Sequence, residues 1–156
     1  MLVTYVPPPT ALQQWRTTYF GSPNESGNTA NSADYDKDGV PNLVEYITGT
    51  TPTVRESVTN GLRGLTVIAP AGPQLPAKLG LVMTNSALAN PKVRVTIERS
   101  TNLTSWSSYA TRTGGGAWSG NALQVSSTAT NLLTTHLFTP PTGTRYYFRL
   151  KVEELP

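Results

Sequence analysis

Apolar positions repeat with two different periods along this chain, and the change of period divides it. Near the start, Leu12, Trp15 and Tyr19 stand at i, i+3 and i+7, the spacing of one helical face. Thr10 suits the N-cap of that helix, with Gln13 three residues on to complete a capping box, and Gly21 stops it just after Phe20. Ahead of it, Pro7-Pro8-Pro9 favours an extended, semi-rigid spacer, so residues 1–9 read as a Pro-rich linker. Residues 22–33 are polar and full of turn formers, which predicts a loop. A second short helix is predicted from Pro41 to Thr48, with Pro41 at its first position and Gly49 at its stop. Leu43 and Ile47 lie one turn apart on its buried face. Thr51-Pro52-Thr53 and the polar run to Gly61 then lead into the second piece.

From Arg63 onward the period becomes two. Val93, Val95 and Ile97 alternate with Arg94, Thr96 and Glu98, and Tyr146, Phe148, Leu150 and Val152 alternate with Tyr147, Arg149 and Lys151. Weaker strands are predicted near 64–69, 79–84, 106–112, 121–127 and 132–138. The expected fold is mainly β: an antiparallel β-sandwich of about seven strands over residues 57–156. Before it stands a helical segment, residues 10–56, whose two short helices flank a loop, packed with the sandwich as one unit.

Composition agrees with strands and loops. The 156 residues include 13 Gly and 13 Pro, and only 13% are charged. Residues 1–56 carry three basic and six acidic side chains, whereas residues 57–156 carry nine basic and three acidic ones. There is no run of 18 apolar residues, so no membrane span is expected. Cysteine is absent, which suits either a reducing compartment or a secreted chain stabilised by metal. The opening stretch lacks the basic start and long apolar core of a signal peptide, so an export leader is expected upstream. The basic residues are dispersed without an aromatic recognition motif, which argues against a nucleic-acid partner.

The strongest chemical signal lies between the helices. Asp34-Tyr35-Asp36-Lys37-Asp38-Gly39-Val40-Pro41-Asn42-Leu43-Val44-Glu45 satisfies the twelve-residue, EF-hand-type calcium pattern at each required position. A hard divalent cation takes about six to eight oxygens, several of them anionic. Asp34, Asp36 and Asp38 at positions 1, 3 and 5 converge if the loop coils around an ion. Gly39 allows the sharp turn, Val40 offers its carbonyl, Asn42 binds directly or through water, and Glu45 binds with both oxygens. These three aspartates are the only ones in the chain. A plain Asx-rich surface turn would explain neither Gly39 nor Glu45. Two features depart from paired EF-hands: thirteen residues separate Phe20 from Asp34, and Pro41 at position 8 has no N–H to pair with a neighbouring loop. Both point to a solitary, structural site.

Trp15-Arg16, Phe20-Gly21, the stretch from Ala33 to Tyr46, and Gly49 resemble a segment found near the C-termini of large secreted bacterial proteins. The loop itself is similar to those of dockerins and thrombospondin type 3 repeats. Glu98-Arg99-Ser100-Thr101-Asn102-Leu103-Thr104-Ser105-Trp106 and Tyr147-Phe148-Arg149-Leu150 resemble the β-rich part that follows this segment in the same proteins. The resemblance implies an extracellular accessory module joined to an upstream module of the same polypeptide. It does not imply cohesin binding, because the duplicated dockerin loop is missing.

Other chemistry is thin. His136, the only histidine, reads as a surface or packing residue, and no further nitrogen or sulfur ligands exist for zinc. A glycosidase pair would have to come from Glu25, Glu56, Glu98, Glu153 and Glu154, which no pattern brings together. Gly114-Gly115-Gly116 lacks the Lys-Ser/Thr of a phosphate loop and reads as a flexible hairpin tip. Trp118 beside it either stacks on a sugar ring or folds back over the sandwich, and Trp106 is expected in the core. Strand alternation places Arg145, Tyr147, Arg149 and Lys151 on one face, joined by Lys92 and Arg94. Such a face reads either as a platform for an anionic glycan or as an ordinary solvated surface. The function expected is that of a secreted, non-catalytic, calcium-binding accessory module that binds polysaccharide or a cell-surface glycan. The alternatives are a spacer or sorting domain with structural calcium, and a small polysaccharide-acting enzyme.

Overall fold

A computed structural model describes residues 5–56, 65–68, 78–84, 90–120, 123–127, 131–137 and 145–156, with the backbone alone at 65–68, 78–79, 82–84, 123–127 and 131–137. Helix α1 spans Ala11–Phe20. Both halves of its capping box form: the Gln13 N–H donates to Thr10 Oγ1 at 3.2 Å, and the Thr10 N–H donates to Gln13 Oε1 at 2.8 Å. Its buried face differs from the expected one. Leu12 is buried and Trp15 packs against the core, but Tyr19 is exposed and Arg16 takes the buried position beside Leu12. Helix α2 spans Asn42–Thr48, so Pro41 stands one residue outside it, at the N-cap.

Among the described residues eight strands follow: β1 (Leu65–Ile68), β2 (Lys78–Thr84), β3 (Val93–Ser100), β4 (Ser107–Thr113), β5 (Ser119–Gly120), β6 (Leu123–Ser127), β7 (Asn131–Leu137) and β8 (Tyr147–Glu154). The first sheet has the order β5-β4-β3-β8 and the second β1-β2-β7-β6, with every pairing antiparallel. The two-residue β5 is an addition to the expected strands. The expected strand ends at 64, 69, 121 and 138 and the connection at 57–61 lie outside the described residues, as does the His136 side chain.

The glycine run is not a loose tip at its first residue. Gly114 is buried, its N–H donates to the Val93 carbonyl at 2.9 Å, and its φ is 53°. A β-carbon there would stand 2.7 Å from Pro91 Cα, so only glycine fits.

One buried cluster joins helices to strands. Leu12 of α1 and Leu43, Tyr46 and Ile47 of α2 meet Leu81, Val93, Val95, Ile97, Tyr109 and Ala110, and Phe148, Leu150 and Val152 of β8 pack against them. Full burial of each large aliphatic side chain is worth about 1.5–3 kcal/mol. A polar tie runs alongside. Arg16, 3% exposed, donates from Nη2 to Asn31 Oδ1 at 2.6 Å and to Glu154 Oε2 at 2.9 Å, while Asn31 Nδ2 donates to the same Glu154 oxygen at 2.7 Å. The helical segment is thus bolted to the last strand by both apolar and ionic contacts.

Because α1 and the strands share this core, Leu12→Ala is expected to cost about 2–5 kcal/mol. Urea unfolding followed by tryptophan fluorescence and far-UV circular dichroism should give midpoints that coincide between the two probes in each protein and lie lower in the variant. A loss below about 1 kcal/mol, or two separate transitions, would contradict a shared core.

Candidate metal centre

The loop at 34–45 is held from both sides. Phe20, at the end of α1, packs on Tyr35 with ring centroids 5.3 Å apart. On the exit side, Pro41 provides no side-chain cap for α2, and the preceding loop supplies the contacts instead. The Asn42 N–H donates to the Ala33 carbonyl at 2.8 Å and the Leu43 N–H to the Asn31 carbonyl at 3.1 Å. Asn42 Nδ2 also donates to the Asn28 and Ala30 carbonyls, both at 2.9 Å. The thirteen residues between helix and loop therefore brace α2 from outside, a role that no local pattern in them announces.

Inside the loop, Asp36 Oδ1 accepts from the Asp38 N–H at 3.0 Å and Asp38 Oδ1 from the Val40 N–H at 2.7 Å. These short-range bonds coil the backbone. Gly39 takes a φ of 83°, the left-handed value its position in the pattern requires, and Lys37 a φ of 64°. The coil brings one carboxylate oxygen from each of Asp34, Asp36 and Asp38 within 4.8 Å of one another. Glu45 stands outside that triad.

What marks the place is the state of the oxygens. Asn42 and Glu45 are each 1% exposed. Asp34 Oδ1, Asp36 Oδ2, Asn42 Oδ1 and both carboxylate oxygens of Glu45 are buried with no hydrogen-bond partner. Buried polar atoms are almost always paired, so five unpaired oxygens from four side chains ask for a partner from outside the chain, be it a cation, a proton or water. All are hard oxygen donors, which fits a calcium- or magnesium-like cation and not zinc. No protein-family model, curated protein or solved structure matches this chain. The reading of the site therefore rests on its own chemistry.

Electrostatics points the same way. Burial first, then the charges of Asp36, Asp38, Glu56 and Asp34, push the Glu45 carboxyl up to about 8. Without a cation, a proton is the cheapest way to neutralise it.

The candidate ligand residues fall differently. Trp118 is half-buried and packs against the core cluster, the second of its two expected placings, whereas Trp106 lies outside that cluster and not in the core as expected. Arg149 stacks 4.3 Å above the Trp106 ring and its Nε donates to Glu98 Oε2 at 2.5 Å. Lys151 Nζ lies 2.8 Å from Glu153 Oε1. Tyr147 is half-buried opposite Ser100. The register also sets Arg94 against Glu153. Two glutamates thus sit among the cations, and the face expected to be basic is mixed in charge. Arg99, which alternation alone did not single out, lies between Tyr109 and Tyr146, with 5.5 and 4.8 Å from its guanidinium to the ring centroids.

Glu45 titrates near 4.5 in an unfolded chain and near 8 in the folded, metal-free one. The folded state binds that proton more tightly, so the stability it contributes is full below about 4.5 and is lost as pH rises through about 8. In the presence of a chelator, stability from urea titrations should fall between about pH 5 and about pH 8.5, and Glu45→Gln should flatten the fall. An equal slope in the variant would show that Glu45 is not its source.

Proposed function

We propose that residues 34–45 form an EF-hand-type loop for one calcium ion, held by Asp34, Asp36, Asp38, the Val40 carbonyl, Asn42 and Glu45. On this reading the chain is a non-catalytic, calcium-stabilised accessory module of an extracellular protein, its two sheets closing as a β-sandwich behind the helical segment. The observation that carries the proposal is the set of five buried, unpartnered oxygens on Asp34, Asp36, Asn42 and Glu45. Calcium is preferred to magnesium because the pattern offers more than six oxygens, with two from Glu45, and magnesium demands a compact octahedron. The ion supplies charge neutralisation and cross-links the loop to α2. Affinity near 10⁻⁴–10⁻³ M, roughly that of extracellular calcium modules, would suit such a role.

Between a glycan-binding module and a structural one, the paired charges on β8 favour the structural reading. An anionic polysaccharide would meet Glu98 beside Arg149 and Glu153 beside Lys151, and repulsion from those carboxylates offsets the attraction of the two cations. Retention on sulfated or uronate-containing polysaccharides that weakens in the Arg149→Ala, Lys151→Ala variant would restore the glycan reading.

Calorimetry should give one calcium per chain, and Glu45→Ala should abolish the heat. Calcium at about 100 times its dissociation constant should raise stability by about 2.7 kcal/mol, and a chelator should reverse the gain. No heat with wild type, or unchanged binding in Glu45→Ala, would sink the proposal.

A further inference from the structure

Beyond α2 the chain doubles back on the loop it has just left. The N–H groups of Gly49 and Thr50 both donate to the Glu45 carbonyl, at 2.8 and 3.2 Å, which ends the helix. Pro52 is then fully buried, and the Val54 N–H donates to the Thr51 carbonyl at 3.1 Å to close a turn. The turn delivers Glu56 to the loop, where its N–H donates to Asp38 Oδ2 at 3.3 Å. That bond ties Glu56 to the aspartate at position 5 of the loop, a contact across 18 residues.

We propose that Glu56 supplies a further carboxylate to the cation site, drawing in calcium from the rim of the loop; this rests on the calcium reading given above.

The first support is the company the other glutamates keep. Outside the loop, Glu25 lies 4.0 Å and Glu154 2.9 Å from Arg16, Glu98 lies 2.5 Å from Arg149, and Glu153 lies 2.8 Å from Lys151. Among the described residues Glu56 alone of these five has no basic partner, and its backbone N–H is tied to an aspartate of the loop. The second support is independent of any cluster of acids: Asn42 and Glu45, at 1% exposure, bury unpartnered oxygens in the same loop. The third is electrostatic: the backbone tie to Asp38 sets an exposed acid, Glu56, beside a loop that already gathers three aspartates. An exposed acid set among other acids opposes folding of the metal-free protein by repulsion. It assists only when a cation is there to answer it.

Ligand charge count tunes calcium affinity in such loops, and a charge at the rim also steers capture. The test compares wild type, Glu56→Gln and, as a remote charge control, Glu98→Gln, by calcium calorimetry and by thermal unfolding with calcium and with chelator. Glu56→Gln should raise the calcium dissociation constant about five- to tenfold, with a shallower dependence on salt, while Glu98→Gln stays within about twofold of wild type. With chelator, Glu56→Gln should melt at or above the wild-type temperature; with subsaturating calcium it should melt below it. That reversal separates a role in cation binding from a packing role, which would lower both melting temperatures. Calcium affinity in Glu56→Gln within about twofold of wild type, or lower melting under both conditions, would overturn the proposal. If wild type itself gives no calcium heat, it is the calcium reading that fails.

Discussion

Glu45 is fully buried, neither of its carboxylate oxygens has a hydrogen-bond partner, and three aspartates lie nearby. An ionised carboxylate in that position costs several kcal/mol unless opposite charge answers it. Replacing it with an apolar residue would be cheaper, so its presence is best understood through what it is able to bind. A proton answers the buried carboxylate alone, whereas a divalent cation, on the reading proposed above, would answer the aspartates as well.

The rest of the molecule is arranged so that this loop keeps its shape. Residues 28–33 fill the donor positions at the start of α2 that Pro41 leaves uncapped. Phe20 rests on Tyr35 and ties the far side of the loop to α1. The coupling continues outward, because Leu43, Tyr46 and Ile47 sit within a few residues of Glu45 and face the same core as Val93, Val95 and Ile97. Asn31 takes part at both levels: its carbonyl receives the Leu43 N–H, and its side chain bridges Arg16 and Glu154. Displacing the loop would therefore disturb the seat of α2 and, through Asn31, the end of β8.

Local rules in the sequence carried most of the elements. The Thr10–Gln13 box, the glycine stops at Gly21 and Gly49, and the alternation of β3 and β8 depend on neighbours within a turn or a pleat, and each formed as read except at Thr96, which is buried on the polar side of β3. The start of α2 moved by one residue because the fixed φ of Pro41 suits an extended N-cap as well as a first helical position. What local rules could not supply was contact between distant residues. Arg16 reads as a solvated helix residue until Glu154, 138 positions away, is seen beside it. Glu56 lies outside the twelve-residue pattern, and only the turn at Thr51–Val54 brings it back. Trp118 stayed undecided between two placings for a similar reason: its packing depends on which residues lie over the hairpin, and that information is not in the hairpin. The acids on the β8 face were legible, since Glu98 alternates in step with Arg94. Counting cations without the acids beside them gave the wrong charge.

Those same charges have a complete physical role without a ligand. Among the described residues β8 is an edge strand of its sheet, with β3 on one side only. An eight-residue edge whose side chains were apolar on both faces would invite pairing with another chain. Its core face is committed to Phe148, Leu150 and Val152, so protection has to come from the alternate positions. Arg149, Lys151 and Glu153 occupy them, and a foreign strand would have to dehydrate all three. Opposite signs keep the cost of crowding low: Glu98 answers Arg149 and Glu153 answers Lys151. Trp106 then finds cover under the Arg149 guanidinium instead of lying open. A charged, internally paired edge of this kind resists pairing with a foreign strand without any ligand.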